Sequence, residues 1–102
     1  MIEITGRGRF LIARILKENY ENDVRIFSYI DHLVTFTDFF MDSRQNSVED
    51  FCNILDNFLT NEKGFPYLVI YIDPYLQNKD FLKNQLSKLE NKYFGITIIF
   101  IS

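Results

Sequence analysis

The chain has 102 residues, of which 47% are hydrophobic and 17% aromatic, and its formal net charge is -3. This length suits one core, so we expect residues 1–102 to form a single domain, and the apolar content excludes a disordered chain. The acidic excess argues against nucleic-acid binding, which needs basic residues that neutralise phosphates. With no signal peptide and no apolar run near the ~18 residues of a membrane span, we expect a cytoplasmic protein without membrane contact.

The first half of the chain begins with a strand, a glycine-containing turn and a helix. Residues 1–5 form a short apolar run, and apolar side chains recur at helical spacing over residues 10–20. Residues 24–30 (VRIFSYI) then predict a second strand. Residues 33–37 (LVTFT) predict a short third strand, with a helix through residues 39–40 as the alternative.

A polar loop over residues 42–46 precedes the clearest helix of the sequence. Ser47 is a candidate N-cap, and Asp50 three residues later is a weak capping-box partner. Apolar residues then recur at i, i+3, i+4 and i+7 over residues 48–59, which predicts an amphipathic helix. A loop over residues 61–66 follows.

The second half of the chain contains two strands that are apolar at every position. Residues 67–72 (YLVIYI) end at Asp73, and the segment from Ile96 to Ile101 (ITIIFI) follows a helix over residues 81–93 and Gly95. Such runs are typical of strands with helices on both faces. The alternation predicts a three-layer, Rossmann-like α/β domain with a mostly parallel four- to five-stranded sheet and helices on both faces.

The turn after the first strand is a candidate phosphate-binding site. Gly6, Arg7, Gly8, Arg9 and Phe10 lie between the first strand and the first helix, where open α/β sheets bind phosphates. Glycines permit a close backbone approach, and a helix N-terminus offers free N–H groups. A tight turn without a ligand is the alternative explanation of the two glycines.

The start of the chain resembles a known enzyme family. Ile4-Thr5-Gly6 followed by Phe10-Leu11 is similar to the T-G-x-x-G-F-L-G opening of extended short-chain dehydrogenases, the sugar-nucleotide epimerase group. The resemblance implies a truncated Rossmann half that binds NAD(P) or another nucleotide at residues 6–10. It also implies Asp31 as the ribose-binding acid, Asp38 as the adenine-side acid and the strand order 3-2-1-4-5.

The chain departs from that family at positions that the family uses for cofactor binding and for catalysis. Arg9 and Ile12 occupy the places of the two later glycines of the fingerprint. A Tyr-x-x-x-Lys pair is found only at Tyr75 and Lys79, on the wrong side of the last strand. We therefore expect no complete catalytic site.

The chain also resembles a shrunken P-loop NTPase core, in which the last strand lies next to the first. On this alignment Asp73 stands at the Walker B acid and Ser102 ends a sensor-like strand. The Lys-Ser/Thr pair that binds phosphate and magnesium is missing, so no ATPase activity is expected.

The sequence thus favours a non-catalytic module that acts through protein contact or self-association and retains at most weak nucleotide binding at the first strand-helix turn. Under the order 3-2-1-4-5, the strand from Ile96 to Ile101 is an edge that a partner or another copy would cover. The alternatives are a nucleotide-binding half of a dehydrogenase and a P-loop-like regulator that mimics an ATPase subunit. His32 has no metal-ligand cluster around it, and Cys52 is expected to be a buried structural thiol.

Overall fold

A computed structural model describes residues 1–62 and 64–102, and Lys63, within the predicted loop 61–66, lies outside the described residues. Most predicted elements are present close to their expected bounds. In chain order the elements are β1 (Ile2–Ile4), α1 (Arg9–Asn19), β2 (Val24–Ile30), β3 (Phe39–Asp42), α2 (Val48–Asn61), β4 (Tyr67–Ile72), α3 (Lys79–Lys92) and β5 (Thr97–Ile101).

The five strands form one sheet with the order β1-β5-β4-β2-β3, and every neighbouring pair is parallel. The predicted α/β class with a parallel sheet is therefore confirmed. The expected order 3-2-1-4-5 is wrong, because β5 lies between β1 and β4. The segment from Ile96 to Ile101 is consequently not an edge strand, and the edges are β1 and β3. Backbone groups on both sides of β5 are paired, so the predicted need to cover this strand does not arise.

The third strand lies later in the chain than the predicted residues 33–37. Residues 33–37 form a loop, and the strand that pairs with β2 is β3, four residues long. Val34 and Phe36 are buried while Leu33 and Thr35 are exposed, which produces a period of two without strand pairing. A buried loop can thus imitate the alternation of a half-buried strand.

The helices lie on both faces of the sheet, as expected. On one face α2 and α3 cover the sheet, and their buried leucines pack against β4 and β5 around Phe51 and Phe100. On the other face α1 contributes Ala13 and the loop after β2 contributes Val34 and Phe36. One helix and a loop cover this second face, which leaves its β1 side more open.

Capping chemistry explains where α2 begins. The Ser47 hydroxyl accepts the backbone N–H of Asp50 at 3.1 Å, which confirms the predicted N-cap. Glu49 and Asp50 place negative charge in the first turn, where it complements the helix dipole. Among the helices of the described residues, none has both the length and the apolar composition to cross a membrane.

Candidate functional site

The glycine turn lies at the carboxyl edge of the sheet, between β1 and α1. Gly6 has φ of 94° and Gly8, the N-cap of α1, has φ of 83°. A Cβ added at either position would meet no heavy atom within 4 Å. The positive φ angles therefore account for both glycines, since side chains rarely adopt this conformation. The turn itself explains these residues without a ligand.

Arg9 lies across the neighbouring strand ends. Its Nη1 donates to the carbonyl oxygen of Ile72 at 3.0 Å, and its guanidinium carbon lies 4.9 Å from the ring centroid of Tyr71. Arg9 is half-buried, whereas Arg7 is exposed. The Arg9 side chain thus connects the start of α1 to the end of β4.

Phe10 belongs to the packing between α1 and the loop after β2. Its ring meets that of Phe36 edge to face at 5.0 Å between centroids, and Phe36 in turn meets Tyr71 at 5.4 Å. Phe10 still exposes 49% of its surface. Phe10 thereby packs against the loop after β2.

Ser102 follows β5 and lies beside the end of β1. Its backbone N–H donates to the carbonyl oxygen of Ile4 at 3.0 Å. The side-chain Oγ is buried and has no hydrogen-bond partner among the described residues. The sequence predicts Ser102 only as the end of a sensor-like strand, and the strand order brings it next to the residues that precede Gly6.

Asp31 is distant from the glycine turn. It follows β2, which is separated from β1 by β5 and β4. Three interstrand spacings amount to about 14 Å, so Asp31 lies farther from the glycine turn than in a fold where β1 and β2 are adjacent. A hydrogen bond with His32 at 2.9 Å lowers the pKa of the exposed Asp31 carboxyl.

Asp38 joins β2 and α1 through its carboxylate. One carboxylate oxygen accepts the backbone N–H of Ile26 at 2.8 Å, and the other pairs with the Lys17 ammonium. The side chains of Asp38 and Lys17 expose 28% and 24% of their surface. The predicted site residues therefore separate into the turn at residues 6–10, Asp31 and Asp38.

A second cleft, which sequence reasoning did not identify, lies between the carboxyl ends of β2 and β4. Its volume is about 380 Å³, and polar groups dominate its lining, including Asp31, Ser47, Asp73 and Asn78. The segments that leave β2 and β4 cross opposite faces of the sheet, and such a switch point is a common place for ligands. Finding it requires the strand order, which the sequence did not reveal.

The described residues offer neither a reactive thiol nor a metal site. Cys52 is half-buried, and burial raises the pKa of its thiol to about 11, with a smaller contribution from the charge of Glu49. Such a thiol is largely protonated near neutral pH and a weak nucleophile. Within residues 1–62 and 64–102, no group of three or more His, Cys, Asp or Glu side chains is arranged to bind a metal ion.

Comparison with known proteins adds no relative. No protein-family model, no curated protein and no solved structure matches the chain. The function must be inferred from the fold and the geometry at the carboxyl edge of the sheet.

Proposed function

We propose that this chain is a non-catalytic α/β module with a P-loop-like strand order, and that it acts by contact with another protein chain. The observation that carries the proposal is the position of β5 between β1 and β4. In the P-loop resemblance the last strand lies next to the first, whereas the dehydrogenase resemblance requires β4 in that place. The strand order therefore supports the P-loop resemblance over the dehydrogenase resemblance.

The positions after the strands fit the same alignment. Asp73 follows β4 at the place of the Walker B acid, and Ser102 follows β5 at the end of the sensor-like strand. The backbone bond between Ser102 and Ile4 brings this strand end beside the turn. Ser102 and Ile4 are far apart in the sequence and become neighbours only because β5 lies beside β1.

The turn lacks what nucleotide hydrolysis needs. A P-loop has four residues between its first glycine and the Gly-Lys-Ser/Thr sequence, whose lysine and hydroxyl contact phosphate and magnesium. Here only residues 5–8 separate β1 from α1, and Arg9 begins the helix. The Arg9 guanidinium is already engaged with Ile72 and Tyr71. These contacts support a structural rather than a catalytic role for the turn.

Exposed apolar side chains support a role in protein contact. Many of the large hydrophobic residues that are exposed lie on α1 or at the start of β1 and β4. Patches of this kind on small proteins often mark interaction sites. A module without a catalytic constellation but with such a surface fits a regulator that resembles an ATPase subunit.

A nucleotide screen tests the proposal. Thermal unfolding is measured with about 1 mM ATP, ADP, NAD⁺, NADH, NADPH or a UDP-sugar, with magnesium present, and phosphate release is followed in parallel. A ligand with a dissociation constant of about 0.1 mM would add about 1.4 kcal/mol to the free energy of unfolding, enough to raise Tm by several degrees. We expect neither a shift nor phosphate release. A shift with NAD(H), or hydrolysis of ATP, would refute the proposal.

A further inference from the structure

Two large apolar side chains lie on the surface of α1 that points away from the sheet. Ala13 is fully buried against the sheet, and Leu11 and Ile15 lie on the opposite side of the helix at 100° per residue. Leu11 exposes 55% of its surface and Ile15 exposes 42%. We call this pair the α1 ridge. An amphipathic surface helix would place polar residues at both positions, and no other part of the described residues covers the ridge.

An apolar groove lies beside α1 on the same face of the sheet. It has a volume of about 390 Å³ and is lined by Leu16, Tyr20, Asp23, Val24, Tyr67 and Ile99. We call it the β5 groove. Ile2 is the register partner of Ile99 and exposes 48% of its surface, so the apolar surface continues from the groove to the free edge of β1.

We propose that a second copy of this chain covers this surface, with the α1 ridge of each copy inserted into the β5 groove of the other. The inference rests on the proposed function as a contact module and identifies the partner. The ridge points away from the sheet of its own chain and cannot fill its own groove. In a dimer with a two-fold axis, each copy supplies one ridge and one groove, so both ridges and both grooves are covered.

The exposed area matches what such a dimer needs. If a fully exposed large side chain offers about 190 Å², the six residues of this surface expose about 500 Å² per copy. These residues are Ile2, Leu11, Ile12, Ile15, Tyr20 and Tyr67. Two copies would then bury about 1,000 Å² from these side chains alone, which reaches the lower size limit of specific interfaces before the backbone and polar rim are added.

Charge does not oppose the association of two identical surfaces. Beside the ridge, Arg14 and Glu18 form an i,i+4 ion pair at 3.0 Å, so both signs are present at its margin. Asp23 is the one charged residue of the groove lining. A partner of strong net charge would find no strong complementary field here, whereas two copies bring together surfaces with few unpaired charges.

Sedimentation equilibrium over about 1 to 200 µM tests the proposal with three variants. L11E/I15E alters the ridge, Y67K alters the groove, and F94E is the control, since Phe94 is fully exposed and lies outside this surface. We expect a wild-type dimer, an association constant about 100-fold lower for the ridge and groove variants, and no change for F94E. Circular dichroism verifies that each variant is folded.

A mixing experiment tests the ridge-in-groove geometry directly. The ridge and groove variants, each monomeric alone, should dimerise when mixed, because one native contact returns and a glutamate meets a lysine in the other. A monomeric wild type, dimers insensitive to both variants, or no recovery on mixing would overturn the proposal. The nucleotide screen separates the two failures. A monomer that shows no shift with NAD(H) and does not hydrolyse ATP leaves the contact module without this partner, whereas a shift with NAD(H) or hydrolysis of ATP removes the proposed function itself.

Discussion

Replacement of Arg9 by alanine should destabilise the fold without affecting any ligand. The substitution removes the hydrogen bond from Nη1 to the Ile72 carbonyl at 3.0 Å and the contact with the Tyr71 ring at 4.9 Å. A hydrogen bond from a charged donor contributes about 1.5 to 3 kcal/mol, and a cation–π contact about 0.5 to 1 kcal/mol at exposed sites. The half-buried position exposes the guanidinium to water, which reduces both contributions.

We therefore expect Arg9→Ala to lower the free energy of unfolding by about 1.5 kcal/mol, and Tm by roughly 6–12 °C for a chain of this size. Arg9→Lys should lose somewhat less, because an ammonium keeps the charge but not the planar fork that stacks on an aromatic ring. Urea denaturation and calorimetry measure both effects.

Arg7→Ala is the matched control, since Arg7 is exposed in the same turn. It should change the free energy of unfolding by less than about 0.5 kcal/mol. If Arg9 instead binds the phosphate of a ligand, Arg9→Ala would leave stability unchanged and would weaken nucleotide binding. An unaltered Tm for Arg9→Ala, or an equal loss for Arg7→Ala, would refute the structural role assigned to Arg9.

Three further predictions follow from other contacts. Asp38→Ala should lower the free energy of unfolding, measured by urea denaturation, by about 2 kcal/mol, because the backbone N–H of Ile26 in β2 loses its acceptor. Asp38→Asn should recover most of this loss, since its amide oxygen can accept the same hydrogen bond. Since burial raises the pKa of Cys52 to about 11, alkylation by iodoacetamide at about pH 8 should be at least about 100-fold slower than for free cysteine, and a plateau of the rate near pH 9 would contradict this. Hydrogen bonds from Tyr93 and then Lys92 lower the pKa of Asp56, so its contribution is present above about pH 4 and is lost as the pH falls through the lowered value. The free energy of unfolding should fall less between neutral and acidic pH for Asp56→Asn than for the wild type. An equal fall in both proteins would contradict the assignment.

Local patterns in the sequence were sufficient to predict the elements. The apolar stripe of α2 and its Ser47 cap identified that helix, and the continuous apolar runs identified β2 and β4 with their observed bounds. These signals depend on burial and capping within a few residues. The error at residues 33–37 has the same origin, because Val34 and Phe36 are buried in a loop and produce the alternation of a strand.

Strand order could not be predicted in this way. Apolar periodicity reports that a strand is buried and does not report which strand lies beside it. The order taken from the dehydrogenase resemblance placed β5 at an edge, whereas its hydrogen bonds to both β1 and β4 make it an inner strand. The same limit explains the site: the contact of Arg9 with Ile72 and the cleft between β2 and β4 both join segments that are distant in sequence.

Disulfide trapping of neighbouring strands tests the central claim, the position of β5 beside β1. Ile2 and Ile99 are register partners on adjacent strands, and Val69 is the partner of Ile99 on the far side. In a Cys52→Ser background, cysteines at positions 2 and 99 should form an intramolecular disulfide under mild oxidation, since adjacent parallel strands lie about 4.8 Å apart. Cysteines at positions 2 and 69, about twice as far apart, should not. Efficient bonding of 2 to 69 with none of 2 to 99 would place β4 next to β1 and contradict the order β1-β5-β4-β2-β3.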